Sequence, residues 1–390
     1  MSGEPIPSEA RARWRDALAE AGWLTPLAAE SVSITEAAGR VLAAPVTAAR
    51  AVPPVRVAAM DGIAVRAADT SGAPTLLAGG DFAPVDTGAP VPDGFDAVVR
   101  REQVSIDGAG AQVAAAVTAG ADIRAAGEDV PVGEVLLPEG HLLSPFDVGL
   151  LAAAGHVVVD ARSRPRVAVI PTGDELRTPG EPLEAHHTID SNCPMLAAQA
   201  AADGAVPTIH PRVPDDPHRL GEEVMRAVLQ NDLVLLVAGS SRGRRDHSRD
   251  VLAELGDVAV DGVAVRPGHP VLLAVVGTTP VIGVPGYPVS AAFTYELFAH
   301  PLLCELVGRP AERAALPVVL DGDIGGRDDS ECMVAVRFHA GAEHQLHATP
   351  LSRRAAALHS LAQADGYVIV PPGPGLVTGS TVSAFLLRDR

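Results

Sequence analysis

Residues 166–173 read RVAVIPTG, an apolar run from Val167 to Ile170 that stops at Pro171, Thr172 and Gly173. A short, uninterrupted run rich in β-branched residues, closed by turn formers, predicts a strand buried on both faces. Downstream the same signal returns with helices between. Ser191–Asp203 predicts a helix with an Asp/Ser cap at its start and Gly204 at its end, and "AVPTIHPRV" (205–213) a strand. A helix follows Asp215-Asp216-Pro217, then come "LVLLVAG" (233–239) as a strand, a helix near 247–255, the runs "PVLLAVV" (270–276) and "PVIGVPG" (280–286), and a last helix over about 288–307. Strands alternating with helices predict a doubly wound, mostly parallel sheet, which takes its ligands at the C-terminal ends of its strands.

Outward from this domain, assigned to 165–312, the texture differs. Residues 8–21 predict a helix, 30–48 a helical turn with an extended exit, and 130–164 an extended piece, a helix near 144–154 and a strand. These are grouped as an elongated mixed N-terminal domain, 1–48 with 130–164. Between them, 49–129 is a succession of short β runs broken by Gly, Pro and Asp, read as a small β-rich domain. After "VGRP" (307–310), residues 313–390 return to β patterns and predict an antiparallel C-terminal domain or barrel. The fold class is therefore α/β multidomain.

The chain has 390 residues, 47% of them hydrophobic, and a formal net charge of -18. That acidity argues against nucleic acid and against a polybasic membrane surface as partners. No apolar run approaches the ~18 residues of a spanning helix and the first residues are charged, so a cytoplasmic protein is expected. Cys193, Cys304 and Cys332 are far apart, which excludes a disulfide framework and a thiolate zinc site and leaves them as packing residues. There is no lysine, so all 30 basic residues are arginine. A Walker A loop, a Schiff-base cofactor and a lysine general base are thereby excluded.

Three loops follow strands of the α/β domain: "PTGDEL" (171–176), "AGSSRGRRDH" (238–247) and "GVPGYPVSA" (283–291). Glycine and serine at such places let backbone amides approach an anion, a helix N-terminus adds partial positive charge, and Arg242, Arg244 and Arg245 offer forked donors. Gly239, Ser240 and Ser241 complete a plausible phosphate cradle; the plainer alternative is a loop whose arginines face water. Pro267-Gly268-His269 precedes the third loop and makes His269 a candidate anion donor or proton carrier. Acidic residues recur at turns: Asp61, Glu128, Asp129, Asp174, Glu175, Asp215, Asp216 and Asp246. Carboxylates suit magnesium, although each can equally cap a helix, and for Asp216, with Pro217 after it, capping is the preferred reading. His186-His187 reads as solvent-facing. No GxSxG elbow or GxGxxG fingerprint occurs.

In order along the chain, "AAMDGIAVRAAD" (58–69), "VDTGAPVPDGFDAVVRRE" (85–102), "IRAAGEDVPVGEVLLPEG" (123–140), "VAVIPTGDEL" (167–176), "IDSNCPMLAA" (189–198), "VPDDPHRL" (213–220), "GRRDHSRDVLAELG" (243–256), "VAVRPGHPVLL" (263–273) and "GVPGYPVSAAFTYELFAHPLL" (283–303) resemble the molybdopterin molybdenumtransferase family, known as MoeA in bacteria and as the E domain of gephyrin in animals. The resemblance implies a four-domain subunit with a MogA-like α/β domain, and an elongated homodimer whose cleft lies between that domain and the partner's small β domain. It implies a transferase that takes adenylylated molybdopterin and molybdate, cleaves the phosphoanhydride, releases AMP and places the metal oxyanion on the dithiolene, assisted by Mg2+. Asp61, Glu175 and Asp246 would be catalytic. Asp61, Glu128, Asp129, Glu175, Asp216 and Asp246 would hold metal. Thr87, Asn192, Pro267, Gly268, His269, Pro285, Gly286, Tyr287 and Ser290 would bind substrate with the 239–245 loop. Other cofactor-biosynthesis proteins are further candidate partners.

The chain departs from the family pattern at the ligand loops. "AGSSRGRRD" stands where "SGGVSxG" is usual, "PGHP" for "PGKP", "PGYPVS" for "PGNPVS" and "AMDGIAV" for "AMDGYAV". His269 for lysine exchanges a permanent charge for one that titrates near neutrality. The alternatives to molybdate transfer are a non-catalytic pterin or oxyanion carrier or sensor, and a tungstate-specific transferase.

Overall fold

The computed structural model describes residues 3–108, 110–237, 247–341 and 345–387. Two compact units emerge, one made of the residues up to Ala28 together with those from Arg162 onward, the other of Ala29–Ala161.

The first unit opens with helix α1 (Pro7–Glu20), started by Pro7 at its first turn. Its sheet runs through β1 (Arg166–Pro171), α2 (Asn192–Ala202), β2 (Val206–Ile209), α3 (Pro217–Val228), β3 (Leu233–Val237), α4 (Ser248–Leu255), β4 (Asp257–Asp261), β5 (Leu272–Val276) and β6 (Thr279–Val284). The strand order is β2-β1-β3-β6-β5-β4. β2, β1, β3 and β6 are parallel, while β5 and β4 complete the edge antiparallel.

The continuous apolar runs explain why the sheet is covered on both sides. Successive residues of a strand point to opposite faces, so a strand buried twice must be apolar throughout. Val167, Val169, Leu233, Leu235, Ile282 and Val284 enter one core. Ala168, Ile170, Val234, Leu236 and Val281 enter the other. The first face is roofed by α1 and α2 together with the helical stretch 288–306, the second by α3 and α4. That stretch comprises α5 (Pro288–Thr294), a π-helical turn (Tyr295–Ala299) and α6 (His300–Leu306).

Two helix starts refine the sequence expectations. Asp216 caps α3, its Oδ1 accepting from the amides of His218 and Arg219. At α2 the cap is Asp190, whose Oδ1 accepts from the amides of Asn192 and Cys193, whereas the Ser191 side chain accepts no capping bond. Helix α1 differs from expectation in placement. Its Ala10, Trp14 and Leu18 are buried in the α/β core, and Trp14 Nε1 donates to the Ala274 carbonyl at 2.9 Å.

The C-terminal strands β7 (Ala315–Leu320), β8 (Glu331–Ala340), β9 (Leu346–Pro350), β10 (Gly366–Val370) and β11 (Thr381–Leu386) follow the order β8-β9-β7-β11-β10, and a further β8–β10 pairing closes the sheet into a barrel. Only the β7–β9 pairing within that ring is parallel. Val318, Leu320, Val334, Val336, Val368 and Ala384 fill it.

The second unit is built from small sheets. Gly62–Val65 pairs with both Phe82–Val85 and Ala97–Arg100, and Gly110–Val113 pairs with both Thr75–Leu77 and Val104–Asp107. Its helix Pro145–Ala153 starts on a reciprocal capping box between Ser144 and Asp147.

Candidate active site

Because β1, β3 and β6 are parallel, the segments leaving them emerge on one side. The Thr172 amide donates to the Val237 carbonyl at 3.0 Å, tying the end of β1 to that of β3. Gly173 takes φ +138°, and a Cβ there would lie 2.7 Å from Glu175 Oε2, so glycine lets that carboxylate fold over the turn. Among the described residues no hydrogen bond or ion pair engages the Glu175 carboxylate.

Glu175 borders a cleft of about 360 Å³ that also contains Asp190, Asn192, Gly286 and Tyr287. Asn192 is buried; its Nδ2 donates to the Gly286 carbonyl at 2.7 Å, and its Oδ1 has no hydrogen-bond partner among the described residues. A buried acceptor left without a donor is costly.

Gly286 and Tyr287 also border a second cleft of about 640 Å³. Its lining includes Pro267, Gly268, His269, Pro285 and Ser290, so the structure brings the "PGHP" and "PGYPVS" segments together. Gly268 takes φ +110°, with a would-be Cβ 3.3 Å from Thr294 Oγ1. Tyr287 is 59% exposed between the clefts. His269 Nδ1 lies 2.8 Å from Glu4 Oε2, close enough for an ion pair but not aligned as a hydrogen bond.

Sequence reasoning missed three members of this lining, Arg266, Arg327 and Arg353. Arg353 Nη1 donates to the Gly325 carbonyl at 2.6 Å, which fixes its guanidinium at the cleft; Arg327 Nε is 3.8 Å from Asp329 Oδ1. Arg327 follows Gly325-Gly326, the same pairing of glycine and arginine that singled out 238–245, but nothing local says that the C-terminal barrel meets the α/β domain here. Among the described residues no aspartate or glutamate is in this lining, although Glu4 stands against His269 and Asp329 near Arg327. Arginine forks grouped in one lining favour an anion.

The remaining expected site residues fall elsewhere. Gly239, Ser240, Ser241, Arg242, Arg244, Arg245 and Asp246 lie outside the described residues. Asp216 is engaged as a helix cap. Asp61, Thr87, Glu128 and Asp129 belong to the second unit. There the backbone amide and the hydroxyl of Thr87 both donate to Asp61 Oδ1, each at 2.7 Å. These bonds, the amide's first, hold the Asp61 carboxyl below the usual carboxylate range and direct the Thr87 hydroxyl to Asp61. Glu128 Oε2 accepts from the Ala125 amide at 3.0 Å, and its Oε1 is 3.4 Å from Arg124 Nε.

Three family models cover most of the chain: the MoeA N-terminal region (domains I and II) over residues 5–155, a probable molybdopterin binding domain over 168–305, and the MoeA C-terminal region (domain IV) over 316–387. Molybdopterin molybdenumtransferase 2 of Mycobacterium tuberculosis is 33% identical over 372 residues, 87% of this chain and 90% of that one. Molybdopterin molybdenumtransferase of Bacillus subtilis is 30% identical over 389 residues, 93% of this chain and 90% of that one. Among solved structures, a molybdopterin biosynthesis MoeA protein from Pyrococcus horikoshii superposes with a TM-score of 0.81 at 27% identity, covering 99% of each chain. No helix among the described residues is long and apolar enough to cross a membrane. Domain order, full-length similarity and the superposition agree: the chain belongs to the MoeA family of molybdopterin molybdenumtransferases.

Proposed function

We propose that this chain is a molybdopterin molybdenumtransferase of molybdenum cofactor biosynthesis, which takes molybdate and adenylylated molybdopterin, releases AMP and delivers the oxyanion to the dithiolene. The observation that carries the reading is the 640 Å³ cleft beside the sheet, with Arg266, His269, Arg327 and Arg353 in its lining. Two anions must meet for the reaction to occur. At 4 Å, two unit charges repel by about 4 kcal/mol at an effective dielectric near 20, so fixed cations must offset that cost before chemistry begins. Arg353, anchored on the Gly325 carbonyl, and Arg327 supply forks for an oxyanion.

Hard carboxylate oxygens fit a magnesium ion. Glu175, whose carboxylate has no partner among the described residues, suits it best; Asp61, Glu128, Asp129, Asp216 and Asp246 are the other proposed ligands or orienting groups. When bound, magnesium supplies positive charge at the phosphoanhydride. We further propose a cytoplasmic homodimer with the active cleft shared between subunits, in keeping with the motif residues being divided between two units of the chain.

A non-catalytic carrier or sensor is favoured by one observation, the Glu4 carboxylate standing against His269 where the family carries lysine. Incubation with adenylylated molybdopterin, molybdate and magnesium separates the readings. A transferase releases AMP in proportion to molybdate, and Arg353→Ala slows release about tenfold or more, the loss expected for a charge-assisted hydrogen bond of about 1.5–3 kcal/mol. Tight binding with no AMP establishes the carrier instead, and release driven by tungstate alone establishes the tungstate enzyme.

A further inference from the structure

The turn that carries Asp61 is held at its two ends by different strands of the second unit. Before it, Val57–Ala58 pairs with Ile123–Arg124, Ala58 opposite Ile123. After it, Gly62–Val65 pairs with Ala97–Arg100, Gly62 opposite Arg100. A Cβ at Gly62 would fall 1.9 Å from the Val99 carbonyl oxygen, so glycine allows the close approach that starts the second pairing. Ala59, Met60 and Asp61 are the three residues between the strands. The Ala59 amide donates to the Asp122 carbonyl at 2.8 Å, and the Asp61 carbonyl accepts from the Arg101 amide at 2.9 Å.

A side-chain fork closes this frame. Arg100 Nε donates to Asp122 Oδ2 at 2.8 Å and Arg100 Nη2 to Asp122 Oδ1 at 2.9 Å, which joins the last residue of one partner strand to the residue just before the other. Asp122 takes φ +50°, a left-handed conformation that most side chains avoid and that aspartate tolerates. Among the described residues no other non-glycine residue has a positive φ. In that conformation the Asp122 carbonyl meets Ala59 while its carboxylate meets Arg100. The guanidinium is exposed, and exposed ion pairs add little to stability; what a two-pronged fork adds is a fixed geometry.

We propose that Arg100 and Asp122 are positioning residues for the transfer reaction: their fork fixes the Asp61 turn, and through it the Asp61 carboxylate and the Thr87 hydroxyl bound to that carboxylate. The inference rests on the reading of Asp61 as a metal ligand or orienting group in the reaction. Thr87 donates twice to Asp61 Oδ1, and Oδ2 has no partner among the described residues, so the carboxylate has one oxygen held and one to offer. The Thr87 turn is tied into the same frame, since the Gly88 amide donates to the Ala58 carbonyl at 2.8 Å and the Ala58 amide to the Ala89 carbonyl at 2.9 Å. A three-residue turn follows its two ends, and the fork links the strands that hold those ends. Displacing a reacting group by about 1 Å can cost about 10²-fold in rate.

Substitutions at the two positions separate geometry from charge and backbone strain. Asp122→Gly accepts the positive φ but removes the fork, and Asp122→Asn accepts it while keeping one acceptor oxygen. Arg100→Lys keeps the charge and loses the two-pronged bond. Arg66→Met breaks ion pairs to Asp69 and Asp81 in the same unit, neither of which belongs to the frame, and serves as the control.

The test combines AMP release by the full-length protein, given adenylylated molybdopterin, molybdate and magnesium, with hydrogen exchange at the Thr87 amide. Asp122→Gly and Arg100→Lys should lower kcat about tenfold or more while changing KM less than about twofold, the pattern of a group misplaced for chemistry alone. Asp122→Asn should fall between these and the wild type, and Arg66→Met should match the wild type. Exchange at the Thr87 amide should speed about tenfold in Asp122→Gly and Arg100→Lys as the turn loosens. The Asp96 amide, which donates to the Val65 carbonyl at 3.0 Å at the far end of the same strand pair, should keep its wild-type rate. Unchanged Thr87 exchange in both variants, Thr87 and Asp96 exchange rising together as the whole sheet opens, or wild-type kcat in both variants overturns the proposal. A wild type that releases no AMP refutes the transfer reading instead, and Thr87 exchange then still decides whether the fork holds the Asp61 turn.

Discussion

The Asp203 carboxylate is buried at the meeting point of a phenol, an imidazole and a guanidinium. Its Oδ2 accepts from the Tyr295 hydroxyl at 2.7 Å and from His300 Nδ1 at 2.8 Å, while Oδ1 accepts from Arg313 Nη1 at 3.2 Å. The other ring nitrogen of His300 faces the Ala311 carbonyl at 3.2 Å. Both nitrogens thus meet acceptors, which only the imidazolium can satisfy. Burial pulls the His300 pKa down, but the bond and charge of Asp203, with a lesser contribution from Cys304, carry it up to about 9. A raised folded-state pKa contributes stability that is complete below the ordinary value near 6.5 and is lost as pH rises through the folded value. Thermal unfolding should therefore show stability falling between about pH 6.5 and pH 9, and His300→Gln should flatten that slope. Asp203→Ala leaves buried donors unpaired and should cost about 3–5 kcal/mol in denaturant unfolding. None of this was legible in the sequence, because Asp203, Tyr295, His300 and Arg313 come from separate helices and a linker. That Pro267-Gly268 and Pro285-Gly286 form turns beside strand ends was legible, since turn chemistry is local. Arg327 and Arg353 were not, because their position depends on where the barrel docks.

Among elements, helix starts show how one carboxylate can serve two readings. Asp216 Oδ1 accepts two amides of the first turn of α3, the preferred sequence reading, yet the family pattern also makes it a candidate ligand. Asparagine caps as well as aspartate, whereas alanine loses the bond. Asp216→Ala should lower stability by about 1 kcal/mol, and Asp216→Asn should leave it nearly unchanged. Comparing AMP release in the two variants at matched folding then isolates the charge: retained release in Asp216→Asn assigns the residue to capping alone. The sheet was readable because its strands are apolar on both faces, a pattern that few other structures tolerate. Less readable was the β8–β9 hairpin, where only strand register sets His339 and His347 opposite each other.

For the molecule as a whole, α1 is the element whose place sequence pattern could not supply. An amphipathic helix shows that it has an apolar face, not which core receives it. Trp14 fills the α/β core and its indole is hydrogen-bonded to the Ala274 carbonyl. Trp14→Ala should cost about 3–5 kcal/mol, measured by denaturant unfolding. The loss should fall on the unit holding Arg162 onward and leave the spectroscopic signature of Ala29–Ala161 unchanged, since that unit has cores of its own.

The indole and its acceptor are 260 residues apart along the chain. At about 5–20 residues per second, a ribosome needs roughly 13–50 s to join them. During that interval Ala10, Trp14 and Leu18 have left the exit tunnel with no core to enter, while Ala29–Ala161 is already complete and able to condense. Nascent chains thus carry an unburied apolar helix while the 260 residues that separate it from its acceptor are made, which makes it the natural hold for a chaperone and the point at which stalled translation would leave an adhesive fragment.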